Sequence, residues 1–257
     1  MMRLLIEPLD LLLFRDGRPF GMGESASSIF PPSPLTFQGA VRAKLWANKD
    51  KIPQNWLDPE KPSLKFYGPF LEKDGVLLFY APLFTLKCSL ERGEFIKPRN
   101  WDLEGLQKVL WLKEEEEESG FISLDDFKNY LIGKPVCANR LSKKEDLVLE
   151  EERTSIKINP DKLTVSEEDA LFRVRFLRLK KGVRFSLYVE AEKEEELLFE
   201  ILEKEPRTLI LGGERRAVRY ELIKEDFKSL FEDIEERIDV GGKGIGKIIF
   251  LTPAIPE

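Results

Sequence analysis

Apolar and polar residues alternate along this chain in patterns that predict short strands and helices. A nearly continuous apolar run at 3–14 predicts a buried strand, because it is rich in branched aliphatic residues and too short for a long helix. Apolar residues then recur at helical spacing over 34–48. Ser33 and Pro34 are typical of an N-cap and a first helical position, so we expect the helix to begin there. The chain therefore opens with a strand, a long loop and a helix.

The remaining predicted elements follow in chain order: a hairpin at 64–82, a second hairpin at 171–189 that turns at Lys181 and Gly182, a helix at 192–204, two strands around a glycine turn at 207–222, and a helix at 224–238. This order contains the βαββαβ pattern of a ferredoxin-like (RRM-like) domain, which belongs to the α+β class.

The predicted elements also divide the chain. We predict that residues 1–222 form the ferredoxin-like domain and that residues 86–170, which lack a clean periodicity, are a large insertion in it. Residues 223–257 are predicted to be a linker helix, a glycine loop and the first strand of a second ferredoxin-like domain. Because nothing remains to complete that second domain, we expect a truncated protein.

The composition excludes several classes of chemistry. The chain has no histidine, and its two cysteines, Cys88 and Cys137, form no C-x-x-C pair. Soft-metal sites, histidine general bases and histidine-dependent triads are therefore excluded. We expect no metal ion, no cofactor and no catalytic residues. The cysteine usage favours a reduced, cytoplasmic compartment, and no apolar run approaches the roughly 20 residues that span a bilayer.

The net charge of -6 is unfavourable for a nucleic-acid-binding protein unless the position of the charge is considered. The whole excess of acid lies within residues 86–170, so the rest of the chain is neutral. Whether the chain binds nucleic acid therefore depends on local patches of charge. A basic strip without an acid follows the insertion: Arg173, Arg175, Arg178, Lys180, Lys181 and Arg184. A solvated sheet face and a phosphate-binding surface explain this strip equally well.

Two loops are candidate anion-binding sites. The loop at 15–33 is longer than most connections within a domain and contains arginine, glycine and proline, which indicates function or disorder. The turn at 211–216 is typical either of a tight turn with positive φ or of an anion cradle made by glycine amides and arginines. Residues 241–247 match the P-loop spacing G-x-x-x-x-G-K, but Ile248 stands where a hydroxyl is needed and a helix precedes the loop. A P-loop is therefore disfavoured.

Five segments together resemble a known family. They are, in chain order, FRDGRPF at 14–20, SPLTFQGAVRAK at 33–44, ERTSIK at 152–157 with the strand at 171–179, LGGER at 211–215 and FLTPA at 250–254. They resemble the RAMP subunit, numbered third in its complex, that caps the 5′ end of the crRNA in the type III-B CRISPR (Cmr) effector complex. The segments occur in the right order and span the whole chain.

The resemblance implies two ferredoxin-like RAMP domains, no catalytic activity, and binding of the 5′ handle of the guide crRNA in antiviral defence. It implies as partners the large polymerase-like subunit and the backbone RAMP subunits of the same ribonucleoprotein. By position, it implies RNA-binding roles for residues of two loops, the first helix and the late insertion: Arg15, Asp16, Gly17, Arg18, Phe20, Arg42, Arg153, Lys157, Gly212, Gly213, Arg215 and Arg216.

Each residue type has an expected task at such a site. Arginines are expected to hold phosphates, glycine amides to allow a close approach of RNA, and aromatic rings to stack on splayed bases. Two alternatives stay open from the residues alone. One is a RAMP-type endoribonuclease that processes repeat RNA without histidine, and the other is a scaffold that binds only protein.

Overall fold

A computed structural model describes residues 1–15, 25–58, 63–81, 94–96, 109–111, 120–132, 141–156 and 171–235 of the chain. These residues fall into two compact units. The larger unit draws on Met1–Gly75, Leu147–Phe227 and Thr252–Glu257, and the smaller unit draws on Val76–Asp146 and Lys228–Leu251. The predicted glycine loop at 241–247 and the apolar strand after it lie outside the described residues.

The described strands are, in chain order, β1 (Met2–Pro8), β2 (Ser25–Ser27), β3 (Leu64–Lys73), β4 (Val76–Tyr80), β5 (Glu94–Ile96), β6 (Val109–Trp111), β7 (Phe121–Ser123), β8 (Val148–Ile156), β9 (Leu171–Leu179), β10 (Val183–Ala191), β11 (Thr208–Ile210) and β12 (Ala217–Lys224). The described helices are α1 (Pro34–Trp46), α2 (Leu124–Leu131), α3 (Lys144–Leu147), α4 (Glu195–Glu203) and α5 (Glu232–Glu235). The fold is therefore mixed α and β, as the sequence predicts.

An antiparallel sheet forms the core of the larger unit. Its strands lie in the order β11, β12, β1, β10, β3. Helix α1 packs against β3 and β11, and α4 packs against β10. Phe37 of α1 meets Phe185 of β10 with ring centroids 5.1 Å apart, so aromatic contacts fix the helix on the sheet.

Helix α1 begins where the sequence predicts. Ser33 has extended backbone, its hydroxyl accepts a hydrogen bond from the Leu35 amide, and Pro34 is the first helical residue. The predicted apolar face is buried: Phe37, Ala40, Val41 and Leu45. The helix ends at Trp46, two residues earlier than expected.

The N-cap of α1 is a measurable contribution to stability. We expect Ser33→Ala to lower the free energy of unfolding by about 1 kcal/mol, because one orphan amide of the first turn loses its hydrogen-bond acceptor. Urea denaturation followed by circular dichroism measures this change. An unchanged denaturation midpoint would show that water replaces the cap without cost.

A second, three-stranded sheet corrects the predicted hairpin at 171–189. Strand β9 pairs antiparallel with β8 and parallel with β2, whereas β10 lies between β1 and β3. The chain still turns at Lys181 and Gly182, but the two flanking strands enter different sheets. The predicted 15–33 loop also contains β2, so it is not structureless throughout.

The predicted helix at 224–238 is also corrected. Strand β12 continues to Lys224, a 3-10 turn covers Lys228–Phe231, and α5 covers Glu232–Glu235 at the end of the described residues. The apolar residue Phe227 is buried on the sheet, where its ring stacks on Phe70 at 5.1 Å. Phe227 is therefore buried against the sheet and is not part of the apolar face of a continuous helix.

The smaller unit contains the antiparallel pair β4 and β7 with α2 packed on both strands. Phe79 of β4 stacks on Phe127 of α2 at 4.7 Å. Ser123 caps α2 and accepts a hydrogen bond from the Asp126 amide. Strands β5 and β6 pair with each other, and the run of glutamates at 114–118 lies outside the described residues. In the described parts of both units, no helix is long and apolar enough to cross a membrane.

Candidate nucleic-acid interface

The two candidate loops meet in the larger unit. The Gly213 amide donates a 2.7 Å hydrogen bond to the Leu13 carbonyl, just before the first loop begins. Gly212 has φ +75°, and a Cβ built there would lie 2.5 Å from the same carbonyl oxygen. The glycine turn is thus pressed against the backbone that leads into the first loop. Because the Gly213 amide already has this partner, it is not available to a phosphate.

The start of the first loop is also tied to the small sheet. Arg15 forms an isolated bridge with Ser28. The amide and the hydroxyl of Ser28 both donate to the Arg175 carbonyl, at 3.2 and 2.9 Å. Arg15 is exposed, and its backbone is tied through Ser28 to β9 of the small sheet.

Two of the predicted arginines converge on one aromatic ring. The guanidinium of Arg216 lies 4.8 Å from the ring centroid of Phe176 on β9, and that of Arg153 on β8 lies 5.9 Å from it. Phe176 is only 2% exposed, so the two cations cover a buried ring. The turn at 211–216 and the late insertion are thereby brought to the same place.

Both of these arginines already hold carboxylates. Arg216 donates to Glu214 at 2.7 Å and to Asp10 at 3.3 Å. Arg153 donates twice to one oxygen of Glu151. Hydrogen bonds from Arg178 and Arg153 lower the pKa of Glu151, so that carboxylate stays charged and keeps both arginines in place.

Arg215 differs from its neighbour. It is exposed, its φ of +51° turns the chain sharply after Glu214, and it has no carboxylate partner among the described residues. It therefore presents an uncompensated cation at the glycine turn, two residues from the amide that contacts Leu13.

The basic strip is compensated in part, contrary to its appearance in the sequence. Arg175 and Arg173 pair with Glu152 of β8, and Arg178 pairs with Glu151. Arg184 pairs with the buried Glu72 at 2.6 Å and with Glu221 at 3.3 Å. The acids come from other strands, and within the described residues they provide partners for four of the six cations of the strip.

Arg42 lies apart from both loops. Its contacts within the described residues are a 3.5 Å hydrogen bond to Gln38 and the ring of Phe66, 5.4 Å away. Burial lowers the pKa of its guanidinium. The other predicted residues, Asp16, Gly17, Arg18, Phe20 and Lys157, lie outside the described residues.

Sequence reasoning missed Leu13, Ser28, Phe176 and Asp10 as parts of this interface. Leu13 and Phe176 look like ordinary core residues, and their buried side chains join one apolar cluster with Leu11, Ala26 and Val174. Only the pairing of β8 with β9 and the position of the glycine turn reveal their contacts.

In the described parts of the chain, no group of three or more Cys, Asp or Glu side chains is arranged to hold a metal ion.

A family model described as CRISPR-associated protein (Cas_Cmr3) matches residues 4–257. The chain belongs to this Cas_Cmr3 family. The match confirms the resemblance to the RAMP subunit of the type III-B Cmr complex that the sequence segments indicate. The search of curated proteins found no match.

Two solved structures share the fold of this Cas_Cmr3 chain. One is a chain of the type III-B Cmr-beta complex bound to cognate target RNA and AMPPnP, with 21% identity and a TM-score of 0.52, covering 88% of this chain and 63% of that chain. The other is from Cmr-beta bound to cognate target RNA, with 20% identity and a TM-score of 0.51, covering 88% and 64%. The chain therefore spans less than two thirds of the length of these neighbours.

Proposed function

We propose that this chain is a non-catalytic subunit of a type III-B CRISPR effector complex that binds the 5′ handle of the crRNA. In that complex it docks onto the large polymerase-like subunit and the backbone RAMP subunits. Membership of the Cas_Cmr3 family supports the place in the complex. The RNA-binding role rests on the geometry of the larger unit.

The contact between the two loops carries the proposal. The Gly213 to Leu13 hydrogen bond holds Arg215 and Arg15, both exposed, within two residues of the same junction. Two exposed guanidiniums at one junction can each bind a different phosphate of a single RNA strand. Arg153 and Arg216 add two further cations, which their carboxylate partners hold over Phe176.

We also propose that the larger unit is a ferredoxin-like RAMP domain. Strands β1, β3, β10 and β12 occur with α1 after the first strand and α4 after the third, which is the βαββαβ order. Their order in the sheet is β12, β1, β10, β3. On this interpretation residues 86–170 are an insertion between the second and third of these strands.

Binding of handle RNA tests the proposed function. The wild-type chain is expected to bind repeat-derived handle RNA in a filter assay, with affinity that falls steeply between 50 and 200 mM salt because phosphate contacts release counterions. We expect Arg15→Ala and Arg215→Ala each to weaken binding on the order of tenfold, as each loses a charge-assisted hydrogen bond. The melting temperature should stay within a degree or two of the wild-type value.

Lys65→Ala is the matched control. Lys65 is an exposed cation paired with Glu192, and its register with Glu190 places it at the end of the sheet where β1 begins. The loops leave from the opposite end of β1. An absence of RNA binding would indicate a scaffold that binds only protein, and metal-independent cleavage at one site would indicate an endoribonuclease. If the arginine variants lose thermal stability together with RNA affinity, the loops have a structural role.

A further inference from the structure

The outer side of α1 carries large apolar side chains that the described residues leave uncovered. Leu35 is 59% exposed and Trp46 is 58% exposed, although the opposite side of the same helix is buried in the core. Leu35, Gly39, Arg42 and Trp46 are spaced three or four residues apart, so they form one stripe along the helix. We call these four residues the α1 stripe.

Among the described residues, Arg42 in the middle of the stripe has no counter-ion. Its Nε is buried without a hydrogen-bond partner, and its hydrogen bond to Gln38 is 3.5 Å long. No described carboxylate pairs with it, and its guanidinium rests on the ring of Phe66. A cation partly withdrawn from water is stabilised strongly by a carboxylate that forms charge-assisted hydrogen bonds. Arg42 in the stripe therefore needs a carboxylate partner that the described residues do not provide.

Gly39 adds a second, independent observation. It lies in the middle of an exposed helix face, where glycine lowers helix stability relative to alanine. A Cβ built there would meet nothing within 4 Å. Neither a turn, a positive φ nor a packed neighbour among the described residues requires glycine at this position. The missing side chain leaves a notch between Leu35 and Arg42 that allows another backbone to approach closely.

We propose that the α1 stripe is a docking surface for a partner protein segment that places a carboxylate on Arg42 and apolar side chains against Leu35 and Trp46. Exposed tryptophan and arginine are typical of the residues that dominate protein interfaces. The proposal rests on the proposed function only in taking the chain to work within a multi-subunit complex. It reassigns Arg42 from RNA binding to protein binding.

The charges on α1 and just after it favour a protein over RNA. Lys44 donates to the Pro206 carbonyl at 2.7 Å and lies over the ring of Tyr220, so it faces the protein. Lys49 lies over the ring of Trp46. Arg42 is then the one cation of the stripe, whereas binding to the RNA backbone needs several phosphate contacts.

Reconstitution of the effector complex from its purified subunits, with and without crRNA, tests the docking surface. We expect Arg42→Glu and Trp46→Ala each to weaken association with the partner subunit at least tenfold, measured by size-exclusion chromatography with light scattering and by titration. Handle-RNA affinity should stay within twofold of the wild-type value. Lys65→Glu, which reverses an exposed charge elsewhere, should assemble normally.

Two further measurements identify the occupant. A photo-crosslinking amino acid at position 46 should capture one defined subunit, whereas the same group at position 65 should not. A carboxylate found in the captured segment, changed to arginine, should restore the assembly of Arg42→Glu. Unchanged assembly of both variants would overturn the proposal, as would a loss of RNA affinity with intact assembly. Self-association of the wild-type chain that Trp46→Ala abolishes would also overturn it, because the occupant would then be a second copy.

The outcomes separate this proposal from the proposed function. If Arg15→Ala and Arg215→Ala leave RNA binding unchanged while Arg42→Glu prevents assembly, the RNA site is wrong and the docking surface stands. The converse pattern removes the docking surface and leaves the RNA site intact. Thermal melting of each variant identifies any change that comes from unfolding instead.

Discussion

We expect Gly212→Ala to lower the free energy of unfolding on the order of 3 kcal/mol. Gly212 has φ +75° and ψ -163°, a region that is essentially restricted to glycine, and forcing another residue into it costs about 1–3 kcal/mol. The new Cβ would also lie 2.5 Å from the Leu13 carbonyl oxygen, so the backbone of one loop would have to move. Urea denaturation measures the loss of stability.

The same substitution is expected to weaken handle-RNA binding. Moving the turn away from Leu13 breaks the Gly213 hydrogen bond that holds the two loops together, and Arg215 then changes its position relative to Arg15. Filter binding well below the melting temperature of the variant separates this effect from unfolding. Wild-type stability together with wild-type affinity would show that the loop junction is neither constrained nor needed for binding.

Gly39→Ala is the matched control for this experiment. It makes the same chemical change in an exposed helix where the new Cβ meets nothing within 4 Å. Because alanine is the better helix former, we expect a gain of about 0.5–1 kcal/mol in the free energy of unfolding. Handle-RNA binding should be unchanged. A loss of stability would reveal a contact made by residues outside the described ranges.

Local chemistry explains which parts of the fold were predictable. The cap at Ser33 and the buried face of α1 depend on residues within a few positions of each other, so sequence spacing was enough. The pairing of β9 depends on β8, which lies in a segment without clean periodicity. A turn at Lys181 and Gly182 is typical of a hairpin, and nothing local reveals that β9 and β10 join different sheets.

The same distinction applies to the candidate interface. Both loops could be recognised from their glycines and arginines, and the resemblance placed them in one site. The partners of the arginines could not be recognised, because Glu151, Glu152 and Asp10 come from distant parts of the chain. For that reason the sequence did not reveal the carboxylate partners of four of the six cations in the basic strip. Arg42 was grouped with the loops, although its contacts lie on α1 and β3.

We expect Glu72→Ala to lower the free energy of unfolding by about 3–5 kcal/mol, because removing one partner of a buried ion pair has an effect of that size. Glu72 is 2% exposed on β3 and accepts hydrogen bonds from Arg3 on β1 and from Arg184 on β10. The bond to Glu72 raises the pKa of Arg184, so this carboxylate stabilises the charged guanidinium. Without the carboxylate, Arg3 and Arg184 lose their shared buried partner and keep only the more exposed Glu225 and Glu221. Urea denaturation measures the loss.

Glu221→Ala is the control, because Glu221 also pairs with Arg184 but is 72% exposed. An exposed pair contributes at most about 1 kcal/mol, so this variant should unfold close to the wild-type midpoint. Similar losses in the two variants would mean that burial does not strengthen the Glu72 network. A much larger loss for Glu72→Ala would mean that one carboxylate joins β1, β10 and β3. Since β1 leads directly into the first loop, that network would also fix the position from which Arg15 approaches RNA.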